Sequence, residues 1–242
     1  MYRAGCSAAG PPRSTVVREM DASATETEML RTTDEDFPLQ EFRLGRWSIL
    51  HTNALLSRED EADFLMEFKH RIPYGAALWP SAIALAQDVA ARGDALRGRS
   101  VLELGAGTGL PGIIAASLGA RVVQTDAHEV PMSLCRRNGQ RNGAAGIEYR
   151  LVDWAQWTDE ARYDWIIGSD ILYGDTTHPH LRRIFDGNLA PGGRILLSDP
   201  FRAMSLRLLE AMEADGWKVM MTTWSIGEGE NRRVLGLFEL AR

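Results

Sequence analysis

Chemistry in this chain concentrates where acidic residues stand beside glycines. In Glu103-Leu-Gly-Ala-Gly-Thr-Gly109, three glycines (Gly105, Gly107 and Gly109) follow one carboxylate. Residues without a Cβ turn tightly and let a ligand approach the backbone. Pro111 suits the first turn of the helix that follows, and the free N–H groups of that turn face any polar ligand lying in the loop. Glu103 sits at an apolar strand end, where an unpaired charge is costly, so a partner is expected, either backbone amides or a cationic ligand. Asp126 ends another apolar run nineteen residues after Gly107. A carboxylate so placed can accept both hydroxyls of a ribose. Gly107, Gly109 and Gly112 match G-x-G-x-x-G literally, but out of register. The apolar run ends at Leu104, so a dinucleotide fingerprint would begin at Gly105 and put its third glycine on Leu110.

Further along, Asp153-Trp154 ends a third strand, and Ser169-Asp170-Ile-Leu-Tyr173 follows a fourth. Ligands in open α/β sheets bind at the carboxyl ends of strands, where Asp170 and Tyr173 fall. Trp79, in the breaker-rich loop Pro73-Tyr-Gly-Ala-Ala-Leu-Trp-Pro80, offers an indole face of the kind that attracts a cation. His178-Pro179-His180 lacks the further ligands that a metal site needs. Cys135, on a helix, reads as a small packing residue.

The elements that must position these residues alternate regularly. Val101, Leu102 and Leu104 form a short strand buried on both faces, followed by the glycine turn and a helix. Strands are expected over 121–126, 147–153, 163–169 and 194–198, and helices over 81–92, 129–142, 179–188 and 203–214. The run over 41–50 alternates around Gly45 as a hairpin. Ser57 and Asp60 resemble a helix cap, with Phe64, Leu65 and Phe68 sharing one face behind them. Runs 217–225 and 232–240 pair as an antiparallel hairpin. Repeated β-α units imply a Rossmann-like, seven-stranded, mostly parallel sheet with helices on both faces and a C-terminal antiparallel hairpin. Residues 1–36, with Pro11-Pro12 and almost no periodic apolar face, read as a disordered tail, with Met20 or Met29 as an alternative start. Residues 37–242 read as one domain, of which 37–78 form a hairpin and helix extension.

Glu103 to Gly109, the acidic ends of two later strands and the terminal hairpin resemble a class I, seven-β-strand methyltransferase over residues 72–242. Leu78-Trp79-Pro80 and Ser169-Asp170-Ile-Leu-Tyr173 resemble the methyltransferase-16 family within it, whose characterised members are largely protein-lysine methyltransferases. The resemblance implies S-adenosylmethionine as cofactor, although Asp126 alone supports a dinucleotide equally. It implies cofactor contacts from Trp79, Glu103, Gly105, Gly107, Gly109, Asp126, Asp153, Trp154 and Ser169. In the family a carboxylate at the position of Asp153 meets the adenine amine, Trp154 would cover the ring, and Trp79 would wall the methionine end. Asp170 and Tyr173 would be catalytic, orienting an acceptor amine and facing the charge it develops. The acceptor expected is a lysine side chain of a partner protein. A small amine metabolite, nicotinamide-like or other, and a non-catalytic cofactor-binding module are the alternatives.

Composition narrows the remainder. The chain has 242 residues, 45% hydrophobic and 25% charged, as in soluble globular domains. A net charge of −6 argues against a nucleic-acid partner. So does the absence of Asn/Asp-Pro-Pro-aromatic after the fourth strand. Two separated cysteines give neither a disulfide framework nor a metal spacing, which makes a reducing cytoplasm without metal the expectation; a monomer is expected as well. No apolar run approaches membrane-spanning length.

Overall fold

The computed structural model describes residues 17–19, 38–67, 74–227, 229 and 232–242. After a short strand β1 (Val17–Glu19), the chain forms a hairpin of β2 (Gln40–Leu44) and β3 (Trp47–His51). Helices α1 (Arg58–Glu67) and α2 (Pro80–Arg92) follow. Strand and helix then alternate through β4 (Ser100–Leu104), α3 (Leu110–Ser117), β5 (Arg121–Asp126), α4 (Glu129–Arg141) and β6 (Ile147–Leu151). The second half runs β7 (Tyr163–Ser169), α5 (His178–Asn188), β8 (Leu189–Asp199) and α6 (Ala203–Ala214), and closes on β9 (Lys218–Ile226) and β10 (Arg233–Ala241).

The strand order is β1-β9-β10-β8-β7-β4-β5-β6. Strands β4 to β8 are mutually parallel, and β10 enters antiparallel between β8 and β9. The expected seven-stranded sheet is therefore present, with β1 added at the β9 edge. The order reverses at β4, which has β5 on one side and β7 on the other. This leaves a crevice at its carboxyl end, the switch point where such sheets bind ligands.

Alternation along the strands builds two cores. Val101, Val122, Ile167, Leu196 and Leu237 face α2 and α3. Their neighbours Leu102, Val123, Ile166 and Leu197 face α5 and α6, against Leu181, Phe185, Leu208 and Met212. Burial on both faces is why the parallel strands read as continuous apolar runs. Among the described residues no helix is long and apolar enough to cross a membrane.

The N-terminal hairpin docks through two asparagines one turn apart, Asn138 on α4 and Asn142 at its C-cap. Asn138 accepts from the Leu50 amide at 2.7 Å and donates to the Leu50 carbonyl at 3.0 Å. Asn142 does the same for Ser48, at 2.9 and 2.6 Å. Each side-chain amide thus satisfies an outer edge position of β3, which a buried strand edge requires. Asn138 also donates to the Thr108 carbonyl at 2.9 Å, which links hairpin and glycine turn.

The cap expected ahead of α1 is present. The Asp60 amide donates to Ser57 Oγ at 3.0 Å, and the Ser57 amide donates to Asp60 Oδ2 at 2.8 Å. Phe64 is buried behind it, whereas Leu65 is exposed, because the preceding turn presents only one apolar position to the domain. Phe68 lies outside the described residues.

Two expectations are corrected. Val17–Glu19, read as part of a disordered tail, pairs in parallel with Thr223–Ser225. Three residues are too few to show a period, and their partner lies at the other end of the chain. The rest of 1–36 falls outside the described residues. Strand β8 begins at Leu189 rather than Arg194. Leu189 pairs with Tyr163, the register shifts, and pairing resumes at Arg194 with Trp165, so Pro191-Gly192-Gly193 forms an excursion within the strand.

Candidate active site

The turn after β4 is left-handed at each expected glycine, with φ of 63° at Gly105, 53° at Gly107 and 86° at Gly109. L-side chains avoid this region. The bare faces of these glycines are also where other elements approach. A Cβ on Gly105 would lie 2.8 Å from Ile171 Cγ2 and 3.4 Å from Trp154 Cζ2. A Cβ on Gly107 would lie 2.9 Å from the Gly75 carbonyl oxygen. The glycine turn is thus bordered by the segments after β6 and β7 and by a 3₁₀ turn, Tyr74–Ala76.

Glu103 does not face this crevice. It is 1% exposed, and Oε2 accepts from the Gly112 amide at 3.1 Å and from Gln124 Nε2 at 2.6 Å. Gln124 also donates to the Gly109 carbonyl and accepts from the Cys135 thiol. Burial pushes the Glu103 carboxyl up to about 8, against the pull of Gln124 and Gly112. Of the two kinds of partner expected for it, a backbone amide is present. Glu103 ties β4, α3 and β5 together and holds the turn from behind. Cys135 is a buried packing residue, as expected, with its thiol pushed up by burial.

Asp126 ends β5 beside the turn. Its Oδ2 accepts from the Gly107 amide and its Oδ1 from the His128 amide, both at 3.0 Å. A carboxylate can accept about four hydrogen bonds, so capacity remains for a diol. Trp154 packs against the α5–α6 core and presents its ring edge to Gly105. Asp153 is exposed and caps the 3₁₀ turn Trp154–Gln156 by accepting from the Ala155 amide at 2.9 Å. Trp79 takes a bracing position: its Nε1 donates to the Tyr74 carbonyl at 2.9 Å, and its ring packs edge-on against Phe64 at 6.2 Å. It supports the turn that carries Gly75.

At the end of β7, Ser169 pairs with Ser198 of β8. Asp170 then adopts φ 57°, a conformation a non-glycine residue rarely holds, and its amide donates to the Ser198 carbonyl at 2.9 Å. Its carboxylate is ion-paired with Nη1 of Arg202. Burial pushes the Asp170 carboxyl up, against the pull of Arg202 and the Ser81 hydroxyl. The same guanidinium nitrogen donates to Asp199 Oδ2 at 3.0 Å. Phe201 has the other non-glycine left-handed φ among the described residues, 64°. Tyr173 is 56% exposed, and its phenol is pushed up first by burial and then by the charge of Asp126, with Arg202 acting oppositely.

The structure therefore brings Gly105, Gly107, Asp126 and Trp154 together at one turn, with Ile171, next to Asp170, also against Gly105 and with Trp79 and Glu103 in supporting positions. Arg202 and Asp199 were not anticipated. The available signal was Asp199-Pro-Phe-Arg202 at the carboxyl end of a strand, the position that singled out Asp126.

A family model described as lysine methyltransferase matches residues 59–205. Protein N-lysine methyltransferase METTL21A of Xenopus tropicalis is 37% identical over 132 residues, 52% of this chain and 61% of that protein. Histone-arginine methyltransferase METTL23 of Mus musculus is 36% identical over 108 residues, 42% of this chain and 43% of that protein. The chain thus spans less than two thirds of the length of both. EEF1A lysine methyltransferase 3 of Mus musculus is 30% identical over 188 residues, 76% of this chain and 79% of that protein. Among solved structures, the precorrin 8w decarboxylase of Methanobacterium thermoautotrophicum shares the fold with a TM-score of 0.57 at 19% identity, over 71% of this chain and 96% of that one.

Proposed function

The chain belongs to the Methyltransf_16 family of lysine methyltransferases, a class I, S-adenosylmethionine-dependent group, and on that premise we propose that it methylates the ε-amine of lysine side chains on a partner protein. The residues of the crevice fit the cofactor. The left-handed Gly105, Gly107 and Gly109 keep side chains off the turn, and Asp126 brings a carboxylate with spare acceptor capacity to the end of β5. When bound, S-adenosylmethionine supplies a sulfonium methyl: the amine lone pair forms the new N–C bond, the C–S pair stays on sulfur, and the surplus proton leaves to water.

In this reading Asp126 would hold the ribose, Trp154 and Asp153 the adenine, and the Gly105–Gly109 turn would give backbone access. The chain's main task is then to position and desolvate the amine. A lysine amine must shed a proton it normally keeps up to pH ~10.4. Asp170 would accept a hydrogen bond from the amine and orient its lone pair, and the Tyr173 ring would face the developing ammonium.

The observation that carries the proposal is the placement of Asp170. It follows β7 in a left-handed conformation, one residue before Ile171, whose Cγ2 borders Gly105. Similarity to a histone-arginine methyltransferase supports a second reading, with arginine as the acceptor.

The test is incubation with methyl-labelled cofactor and size-fractionated cell extract. Label in a protein band, mapped to lysine, is expected. D170N should lower transfer by at least ~10-fold, as for other positioned polar groups, while binding of S-adenosylhomocysteine changes little. Label confined to small molecules would move the assignment to a metabolite amine, and full activity in D170N would remove Asp170 from the mechanism.

A further inference from the structure

Two carboxylates and one guanidinium meet behind the acceptor side of the crevice. Asp199 is fully enclosed, and both its oxygens are in use. Oδ1 accepts from the Arg202 amide at 2.8 Å, and Oδ2 accepts from Arg202 Nη1 at 3.0 Å and from Ser205 Oγ at 2.8 Å. Asp170 is the less enclosed acid of this pair, with 11% of its side chain exposed beside an Arg202 side chain 27% exposed. Arg202 Nη1 already donates to Asp170 Oδ1. The arrangement is braced on both sides. Ser205 Oγ also lies 3.1 Å from the Leu172 carbonyl oxygen, and Phe201, left-handed, packs edge-on against Phe238 at 5.9 Å. Arg202 therefore cannot swing away without leaving Asp199 buried and unpaired, which is strongly unfavourable.

From this geometry we infer that Arg202 determines acceptor specificity: by covering one oxygen of Asp170 and sealing Asp199, it leaves an acceptor suited to a primary amine and closed to a guanidinium. The inference rests on the reading of Asp170 as the carboxylate that meets the acceptor. A guanidinium is recognised by two parallel N–H···O bonds to both oxygens of one carboxylate. Here one of the two is already taken by a guanidinium of the protein itself. A second guanidinium would also stand against the first, cation beside cation. An amine asks for one oxygen only. The positive charge of Arg202 offsets part of the pull that the carboxylates exert toward the protonated amine, because a like charge disfavours that state. The neutral form is the nucleophile.

The test reads the product, so the acceptor protein need not be known. Full-length wild type, R202Q and R202K are incubated with methyl-labelled S-adenosylmethionine and cell extract. The labelled protein is hydrolysed and its methyllysine and methylarginine are separated. Wild type should label lysine. In R202Q no guanidinium occupies Oδ1 of Asp170, and the lysine-to-arginine ratio should fall by at least ~10-fold, the size of discrimination a site loses with a polar contact. R202K keeps a cation between the two carboxylates and should keep the wild-type ratio. Calorimetric binding of S-adenosylhomocysteine, unchanged in both variants, verifies folding. Methylarginine in the wild-type digest overturns the inference while the methyltransferase reading stands. So does a ratio unchanged in R202Q, or lowered equally in both variants. Absence of any protein label overturns the lysine reading itself, and this inference with it.

Discussion

Replacing Glu103 by glutamine should abolish a specific pH dependence of stability. Folding moves this carboxyl from the ordinary 4.5 to about 8, chiefly by burial. Between those values the unfolded chain has released the proton and the folded chain keeps it. Folding then takes up one proton, and stability falls by about 1.4 kcal/mol for each pH unit. The contribution is complete below 4.5 and is lost as pH rises through about 8. Over that interval it amounts to about 5 kcal/mol, a large part of the stability of a domain.

Glutamine preserves the contacts. One oxygen, Oε2, receives both the Gly112 amide and Gln124 Nε2, and an amide oxygen can receive the same two donors. The amide NH₂ takes the place of the acid O–H. E103Q should therefore match wild type near pH 5 and become progressively more stable than it up to about pH 9, by about 3–5 kcal/mol. Urea unfolding followed by tryptophan fluorescence at half-unit pH steps measures the difference, with equal m-values as the control. A gap between the two proteins that stays constant from pH 5 to 9 would mean that Glu103 is ionised in the fold, and the argument would fail.

Asp126→Ala removes the acceptor of the Gly107 and His128 amides as well as the expected ribose contact. Binding of S-adenosylhomocysteine should weaken by about 1.5–3 kcal/mol by calorimetry, and unchanged affinity would remove Asp126 from the cofactor site. Gly109→Ala must hold φ 86° with a Cβ 2.5 Å from Cys135 Sγ and 3.1 Å from Gln124 Nε2. Left-handed strain and overpacking together should lower stability by about 2–5 kcal/mol in chemical denaturation, and a loss below about 0.5 kcal/mol would show that the turn relaxes freely.

What could be read in advance was what local chemistry dictates. The strand of Val101, Leu102 and Leu104, the left-handed glycines after it and the reciprocal Ser57–Asp60 cap each depend on neighbours within a few residues. Asp126 was legible because a strand end is a known address in such sheets. What stayed hidden depends on distant partners. Glu103 looked like a ligand contact because Gln124, which occupies it, is 21 residues away. Asn138 and Asn142 carry no local signal of their role, and only the folded chain brings β3 against them. Arg202 reaches Asp170 across 32 residues, through a left-handed Phe201 that no glycine announces.

The asparagine pair at the end of α4 also orders events during synthesis. The hairpin is made first, yet the groups that satisfy the outer edge of β3 come 88 and 94 residues later. At about 5–20 residues per second the ribosome needs several seconds to reach them. Throughout that delay the backbone of Ser48 and Leu50 offers an open template to any neighbouring strand, the hazard that edge strands carry. The nascent hairpin is thus exposed to mispairing until α4 has emerged, and Thr108, tied to the same asparagine, reaches its final place only then.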